Sequence, residues 1–343
     1  MRVKHRYLVF LIVLLSSCAL PSSPKPLLKI GLVAPFEGRD RALGYEALGA
    51  VKEALAARNA AGGVAGYMIE LVALNDNNAP DESAFQAREL AVDKDVVGAI
   101  GPFSEGALAA AAPVYDELGL PLIAPVSTDG QPHPAVFSLA AGADALAAAL
   151  LAQLPVDARP ALIRAGNGPL GNALQPAIDW VVDDPQDLAD LARKLHLARW
   201  RPPSHILFDG DALTAAELLL ELRAIDANQP FLGGPSLART QLPQIAGDAA
   251  RNACYAIAVP TSSERTPWAA LAYDAANLLL EALEKTIRAE GAPSRQGVSR
   301  QNVSRQNVMN QLAAGFAEHR RANISIKLYC YGADPAYPGQ PIR

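Results

Sequence analysis

Short apolar runs alternate with longer amphipathic segments along most of this chain. The apolar run Lys29–Ala34 is closed by Pro35 and predicts a buried strand. A helical pattern follows from about Ala42 to Ala60, and the Gly62-Gly63 pair predicts its end. The alternation continues as strand, helix, strand, helix and strand over Met68–Leu74, Asp81–Val92, Val96–Ile100, about Gly106–Leu118 and Leu122–Ala124. Short connections between alternating strands and helices predict a parallel sheet covered by helices on both faces.

A second series with the same rhythm begins after Val136–Leu139. Its predicted helices are about Asp144–Gln153, about Pro185–Leu195 and Ala212–Ile225, and its predicted strands are Ala161–Arg164, His205–Phe208, Phe231–Leu232 and Cys254–Val259. A long helix is predicted at about Trp268–Ala289, and the last strand pattern is Ile324–Tyr331. The fold class is therefore α/β, with two doubly wound, three-layer lobes in series.

A five-residue repeat interrupts the pattern near the end of the chain. Ser294–Val298 recurs as Ser299–Val303 and as Ser304–Val308. Because a period of five fits neither a helix nor a strand, we interpret the repeat as an expansion in a surface loop that runs towards the next helix. A functional basic patch is the alternative interpretation.

Length and charge narrow the class of protein. A chain of 343 residues is long enough for about two domains, and half of its residues are hydrophobic. The net charge of −5 gives no basic face for nucleic acid, so no nucleic-acid partner is expected. After residue 18 no apolar run is long enough to cross a membrane.

The N-terminus has the pattern of a signal peptide. Arg2, Lys4 and Arg6 precede the apolar run Leu8–Leu15, which is too short to span a bilayer, and small residues then lead to Cys18. A cysteine after Leu-x-Ser resembles a bacterial lipobox, so residues 1–18 are expected to be a lipoprotein signal and Cys18 to be acylated. Residues 19–28 are rich in proline and serine and predict a flexible tether from the lipid bilayer. The alternative is an ordinary signal peptide in which Cys18 occurs by chance.

Two further cysteines, Cys254 and Cys330, remain after Cys18. Export would permit a disulfide between them, but a single pair of cysteines is not the set of several bridges that stabilises disulfide-rich secreted domains. We therefore expect two buried thiols in preference to a bridge.

The residue pattern gives no sign of catalysis. The histidines are scattered without the spacing of a metal site, and no nucleophile elbow, Walker sequence or dinucleotide fingerprint is visible. We expect a protein that is not an enzyme and that has no metal or other cofactor.

Several sequence strings occur in the order known from one family. The first five are Ile30–Pro35, Ala60–Gly66, Ile69–Val72 with Asn75-Asp76, Val97–Pro102 and Pro121–Pro125, and Ala272–Ala276 follows late in the chain. Together they resemble the branched-chain amino acid substrate-binding proteins of ABC transporters (leucine/isoleucine/valine-binding-like). The likeness is dense over about residues 29–128, patchy over 160–260, and returns near 267–283.

This resemblance implies the fold of a type I periplasmic binding protein, in which three hinge crossings join two lobes. The N-terminal lobe would comprise about residues 27–140 plus 261–323, and the C-terminal lobe 141–260 plus 324–343. The crossings would fall near 140–142, 259–263 and 320–324. Such a protein would hold a small solute in the cleft and deliver it to a membrane permease.

The resemblance also implies which residues hold the solute. In the family, two loops that follow strands of the first lobe bind the amino acid. The first corresponds to Phe103, Ser104 and Glu105, where the N-terminus of a helix favours an anion. The second corresponds to Pro125–Thr128, with Val126, Ser127 and Thr128 as the expected contacts.

Glu105 departs from the family pattern, which usually has a small hydroxyl residue at this place. An ionised glutamate would repel a ligand carboxylate, at a cost of about 4 kcal/mol for like charges roughly 4 Å apart. Either Glu105 points away from the cleft, or the ligand is not a free amino acid in the usual pose. The competing interpretation is a first-turn residue that the helix dipole stabilises.

The second lobe differs more strongly from the family pattern than the first. It has Leu170-Gly171 where the family often has Tyr-Gly, so the anchors for an amino acid are largely missing on this side. Asp211 is a candidate for binding a cation or sugar-like hydroxyls, although an N-cap for the helix from Ala212 is the preferred interpretation.

Two hypotheses follow. In the first, the chain is an exported, membrane-anchored lipoprotein that captures an amino acid or a similar polar solute for an ABC importer. In the second, a lipoprotein of the same fold has lost amino acid uptake and serves as a ligand sensor or a protein-binding scaffold.

Overall fold

The computed structural model describes residues 25–128, 130–166, 168, 170–175, 180–197, 202–290, 303–332 and 340–341. The predicted signal, the lipidation site Cys18 and most of the predicted tether lie outside the described residues. The described residues form two sheets with helices packed on them.

The first sheet has five parallel strands in the order β2-β1-β3-β4-β5. Their bounds are β1 Leu27–Ala34, β2 Met68–Asn75, β3 Val96–Ile100, β4 Leu122–Ala124 and β5 Val136–Ser138. The helices between them are α1 Arg41–Ala60, α2 Pro80–Val92 and α3 Glu105–Leu118. Every residue of β3 is buried, as expected for a central parallel strand with helices on both faces.

The second sheet has seven strands in the order β12-β11-β10-β9-β8-β6-β7. The strands are β6 Pro160–Ala165, β7 Trp180–Asp183, β8 His205–Gly210, β9 Phe231–Gly233, β10 Ala253–Pro260, β11 Ile324–Cys330 and β12 Gln340–Pro341. Its helices are α4 Ala143–Leu151, α5 Leu170–Leu174, α6 Leu188–Leu197, α7 Ala212–Ala224 and α8 Gln241–Ala246. Strands β6 to β10 run parallel, whereas β11 pairs antiparallel with both β10 and β12.

Two late helices return to the first sheet. Helix α9 (Pro267–Glu290) packs along α1 and against β3, and α10 (Arg305–Asn323) packs against β3 and β5. The chain therefore passes between the sheets three times: after β5, after β10, and where α10 meets β11. The last two passages lie side by side, since Thr261 N and Oγ1 both donate to Asn323 O at 2.8 and 3.0 Å. The predicted α/β fold class with two sheets is confirmed, while the exact lobe boundaries stay a prediction.

The expectation of two free, buried thiols is wrong. Cys254 and Cys330 form a disulfide, and both residues are half-buried. They face each other across the antiparallel pair β10–β11, where their Cα atoms lie 4.1 Å apart. The sequence places them 76 residues apart, so the antiparallel pairing that brings them together was not visible locally.

The third copy of the repeat runs into helix α10, as the interpretation allowed; the first copy and residues 299–302 of the second lie outside the described residues. Ser304 caps α10 by accepting a hydrogen bond from Asn307 N (3.3 Å), and Val308 is fully buried. Arg305 donates to three carbonyls at the C-terminal end of α2 and the start of β3: Ala91, Asp93 and Val96. Ser304, Arg305 and Val308 of the third copy therefore contribute to the capping and packing of α10.

Candidate functional site

A cavity of about 450 Å³ lies at the carboxyl ends of strands from both sheets. The residues that line it include members of the loops after β3, β4, β6, β8 and β9, namely Ser104, Val126, Gly166, Asp211 and Gly234. Open α/β sheets bind ligands at this edge, and the volume is typical of a small-molecule site. None of the described helices is long and apolar enough to cross a membrane.

The loop after β3 places two predicted residues, Ser104 and Glu105, at the start of α3. The loop requires a glycine at position 101, because the backbone has φ +110° and a Cβ atom there would overlap the carbonyl oxygen of Val33. Ser104 then caps α3 by accepting from Ala107 N at 3.3 Å. Ser104 and Glu105 both line the cavity.

Phe103, unlike Ser104 and Glu105, has a side chain that packs in the core. Its side chain is fully buried and packs edge to face on Trp268, with the ring centroids 6.4 Å apart. Its carbonyl oxygen accepts a hydrogen bond from Arg239 Nη2, and Phe103 is not among the described residues that line the cavity. A ligand contact for the Phe103 side chain stays a prediction.

The loop after β4 places two predicted residues in the lining, Val126 and Ser127. The carbonyl of Val126 accepts a hydrogen bond from Ser138 Oγ (2.8 Å), which ties this loop to β5. Thr128 is half-buried, its carbonyl accepts from Gln131 N (3.1 Å), and it is not among the described residues that line the cavity. A role for Thr128 in binding stays a prediction.

Asp211 lines the cavity and also caps α7. Its Oδ1 accepts from Leu213 N (2.8 Å) and Thr214 N (3.0 Å), and its Oδ2 accepts from Thr214 Oγ1 (2.8 Å). The capping interpretation is therefore confirmed. These contacts hold the carboxylate in a fixed position at the rim of the cavity.

Asp209, at the end of β8, lines the same cavity but is only 5% exposed. Its Oδ2 accepts from Gly171 N at 2.5 Å, and a Cβ atom on Gly168 would overlap its carboxylate. Burial raises the pKa of Asp209, although the hydrogen bond from Gly171 and the charge of Arg164 oppose the shift. Asp209 is thus a desolvated carboxyl group at the cavity wall.

Arg239 joins elements of the two sheets across the cavity. It follows the short 3₁₀ helix Pro235–Ala238, next to β9, and its Nη2 donates to Phe103 O at 2.6 Å. Its guanidinium lies 5.0 Å from the centre of the Trp268 ring, and Nη1 is 3.6 Å from Asp40 Oδ1. Burial lowers the pKa of Arg239, and the charges of Asp40, Glu105 and Asp76 act in the opposite direction.

A second polar bridge lies beside Arg239. Asp40 Oδ1 accepts from Gln241 Nε2 (2.9 Å), and Asp40 Oδ2 accepts from Asn78 Nδ2 (2.7 Å). Gln241 belongs to α8 on the second sheet, whereas Asp40 and Asn78 lie in loops of the first. Trp268 Nε1 donates to Ala238 O (3.1 Å), so three hydrogen-bonded bridges connect the two sides of the cavity.

An adjoining cavity of about 1010 Å³ continues from the first one. The two share Ser127 and Ala143 in their linings, along with Gly166 and Gly168. Arg164 lies in the adjoining lining with Asp144, Asp183 and Asp184. Over the described parts of the chain, no group of His, Cys, Asp and Glu has the arrangement of a metal site.

Sequence reasoning missed Arg239, Asp209 and Asp40 as residues of the cavity. Asp209 stands two positions before Asp211 and comes directly after the predicted strand His205–Phe208, which is a signal that was available. Arg239 and Asp40 follow no recognisable pattern, because each lies in an irregular segment that only the fold brings to the cavity.

Comparisons with known proteins agree with this architecture. The model of the periplasmic binding protein family matches residues 28–186. An amino acid binding protein of Pseudomonas aeruginosa is 31% identical over 102 residues, which are 30% of this chain and 27% of that protein. The match to this curated relative thus spans about a quarter of its length.

Solved structures match over nearly the whole length. The branched-chain amino acid transporter substrate binding protein LivJ from Streptococcus pneumoniae, solved with isoleucine, has a TM-score of 0.72 at 19% identity, covering 92% of this chain and 98% of that one. The leucine binding protein LivK from Thermotoga maritima has a TM-score of 0.70 at 18% identity, with coverages of 89% and 95%. The predicted resemblance is therefore confirmed: this chain has the fold of the type I periplasmic binding proteins, and its first part matches the model of that family.

Proposed function

We propose that this chain is an extracytoplasmic solute-binding protein of an ABC importer. It captures an amino acid or a similar small polar solute between its two sheets, and the closed form docks on a membrane permease. The observation that carries the proposal is the cavity of about 450 Å³, which lies at the carboxyl ends of strands from both sheets. The relatives named above are described as binding proteins, which agrees with capture without catalysis.

The chain passages between the two sheets supply a mechanism for capture. Among the described residues, the chain crosses between the sheets after β5, after β10 and at the α10–β11 junction. Rotation about these segments would open the cavity once the hydrogen bonds of Arg239, Gln241 and Trp268 across it are released. A solute that contacts both sides stabilises the closed arrangement by its differential binding free energy.

A thermal-shift screen of amino acids, amides, polyamines and sugars tests the proposal. A solute that binds the folded state raises the melting temperature, by an amount that grows with its concentration. Glu117, which is exposed on α3 outside the cavity lining, provides a control: Glu117→Gln should leave the responses unchanged. No response across the panel would contradict solute capture.

The second candidate function is that of a ligand sensor or a protein-binding scaffold that no longer takes part in solute uptake. Leu170 in the lining, where the family often has an aromatic residue, favours it. A protein-binding scaffold would show no thermal shift with any member of the panel, whereas a ligand sensor would still respond to its ligand.

Export and anchoring are part of the same proposal. The apolar run before Cys18 directs the chain out of the cytoplasm, and acylation of Cys18 holds it on a membrane. Cys18→Ser should release the protein into the soluble fraction, whereas the double variant Cys254→Ser/Cys330→Ser should remain with membranes. Membrane retention of Cys18→Ser would contradict lipid anchoring.

A further inference from the structure

The chain enters the first sheet at one defined edge. The strands of this sheet run parallel, so all of them begin at the same edge, which we call the amino edge: Leu27, Met68, Val96, Leu122 and Val136. Lys25 is held there, because its Nζ donates to Gly62 O (2.8 Å) in the turn after α1. The cavity lies at the opposite edge, where the strands end. The segment that precedes Lys25 therefore joins the protein at the amino edge.

The path from this edge to Cys18 is short. Residues 19–24 join Cys18 to Lys25, and a chain of that length spans at most about 25 Å even when it is fully extended. Strand β1 alone has eight residues and, at about 3.3 Å per residue, is about as long. Acylation of Cys18 places its lipid in the bilayer, so the amino edge would be held within about 25 Å of the headgroups.

Exposed apolar side chains lie next to one another along the amino edge. Val92, the last residue of α2, is 78% exposed, and Leu118, the last residue of α3, is 39% exposed. The two helices pack against each other and end just before the neighbouring strands β3 and β4. Leu27, 44% exposed, begins β1 on the other side of β3. Transfer of these side chains from water to a lipid interface is favourable.

Two lysines add a weaker attraction. Lys25 and Lys94 are exposed at the amino edge, and ammonium groups near a membrane are drawn to anionic headgroups. Asp93, beside Lys94, is already paired with Lys29 at 2.7 Å. Glu117, beside Leu118, is exposed and opposes the attraction. The tether and the apolar side chains therefore contribute more to this surface than its charge does.

We infer that the amino edge is the surface of this protein that contacts a phospholipid bilayer, with Val92, Leu118 and Leu27 entering the headgroup region. The inference rests on the proposed acylation of Cys18 and assigns the face that the anchor turns towards the membrane. The cavity then lies at the edge of the first sheet that points away from the lipid.

The second sheet offers a matched control. Val156 is fully exposed in the turn before β6, at the edge where the strands β6 to β10 begin. Because the strands of both sheets end at the cavity, this edge lies beyond the cavity from the amino edge. Val156 should therefore stay in water, although it is more exposed than Val92.

Fluorescence quenching by brominated phospholipids tests the inference on the full acylated protein. The chain has three cysteines, of which Cys254 and Cys330 are bridged and Cys18 carries the lipid, so Val92→Cys adds one reactive thiol for a bimane label. Leu118→Cys and Val156→Cys are labelled in the same way. The vesicles contain phosphatidylcholine and phosphatidylglycerol in equal amounts, with or without bromine on the acyl chains. We expect bromine to reduce the fluorescence at positions 92 and 118 by at least about twofold, since interfacial side chains reach the acyl boundary, and to leave position 156 unchanged.

Flotation of the same vesicles separates this inference from the anchoring beneath it. Protein that floats with the vesicles while the labels at 92 and 118 stay unquenched would overturn the bilayer contact, although anchoring would stand. Quenching at 156 in place of 92 and 118 would overturn it as well. Wild-type protein that carries no lipid and does not float would overturn anchoring and the inference together. Cys18→Ser with the label at 92 should neither float nor be quenched, and thermal melts check that each labelled variant is folded.

Discussion

Replacing Arg239 with alanine should shift the protein towards an open cavity. The guanidinium links the two sides of the cavity, because Arg239 belongs to the segment after β9 and donates to the carbonyl of Phe103, which lies after β3. Both partners are buried or nearly so, and the Trp268 ring covers the guanidinium. Once the side chain is shortened to alanine, the neighbouring bridge from Gln241 to Asp40 remains.

The size of the effect follows from the contacts that are lost. A hydrogen bond from a charged donor contributes about 1.5–3 kcal/mol. The stacking on Trp268 adds to this, while the burial that lowers the pKa of Arg239 subtracts from it. We therefore expect the ratio of closed to open molecules to fall by about 10- to 100-fold, at about 1.4 kcal/mol per factor of ten.

Small-angle X-ray scattering of the wild type and the variant measures the opening through the radius of gyration. Arg239→Lys keeps the charge but not the planar fork, so it should restore part of the closed population. Arg251→Ala is the matched control, because Arg251 pairs on the surface with Asp248. A radius of gyration and a solute affinity that stay unchanged in Arg239→Ala would refute a bridging role for this residue.

Three further predictions concern stability. The double variant Cys254→Ser/Cys330→Ser should lose about 2–4 kcal/mol of unfolding free energy in urea titrations, because the bridge closes a long loop; a loss of under about 0.5 kcal/mol would contradict this. Asp211→Ala should lower the free energy of unfolding by about 1 kcal/mol in the same assay, because the N-cap of α7 is lost. Asp211→Asn should retain most of that free energy, since asparagine also caps helices, and equal losses in the two variants would contradict capping. Asp209→Asn should raise the melting temperature near neutral pH and have little effect near pH 4.

The sign of the Asp209 effect follows from its raised pKa. The folded state holds the proton of this carboxyl more tightly than the unfolded state, whose pKa is about 3.9. Its contribution to stability is therefore complete below the unfolded value and is lost as the pH rises through the folded one. Asparagine cannot ionise and can still accept the hydrogen bond from Gly171 N, so it avoids this loss. A variant that is less stable than the wild type near neutral pH would show that the ionised form is favoured in the fold.

Local patterns were sufficient to predict most of the first sheet. Strands β3 and β4 begin and end where the apolar runs do, and α1 ends before the glycine pair that was expected to stop it. These elements bury continuous apolar faces, so the signal lies in neighbouring residues. The strand β7 (Trp180–Asp183) and the helix α5 were missed, because each is too short to show a periodic pattern.

The residues of the site were harder to predict. Ser104 and Val126 follow strands directly, so strand ends were enough to place them at the cavity. Arg239 and Asp40 reach it from irregular segments, and their meeting depends on how the two sheets face each other. The disulfide was misjudged for the same reason, since the antiparallel register of β10 and β11 is a long-range property.

A crystal structure of protein purified from its native host without refolding tests the central claim most directly. The account predicts density for a small solute in the cavity, in contact with residues of both sheets. A cavity that is filled by the protein's own side chains, or a solute bound only elsewhere on the molecule, would contradict it.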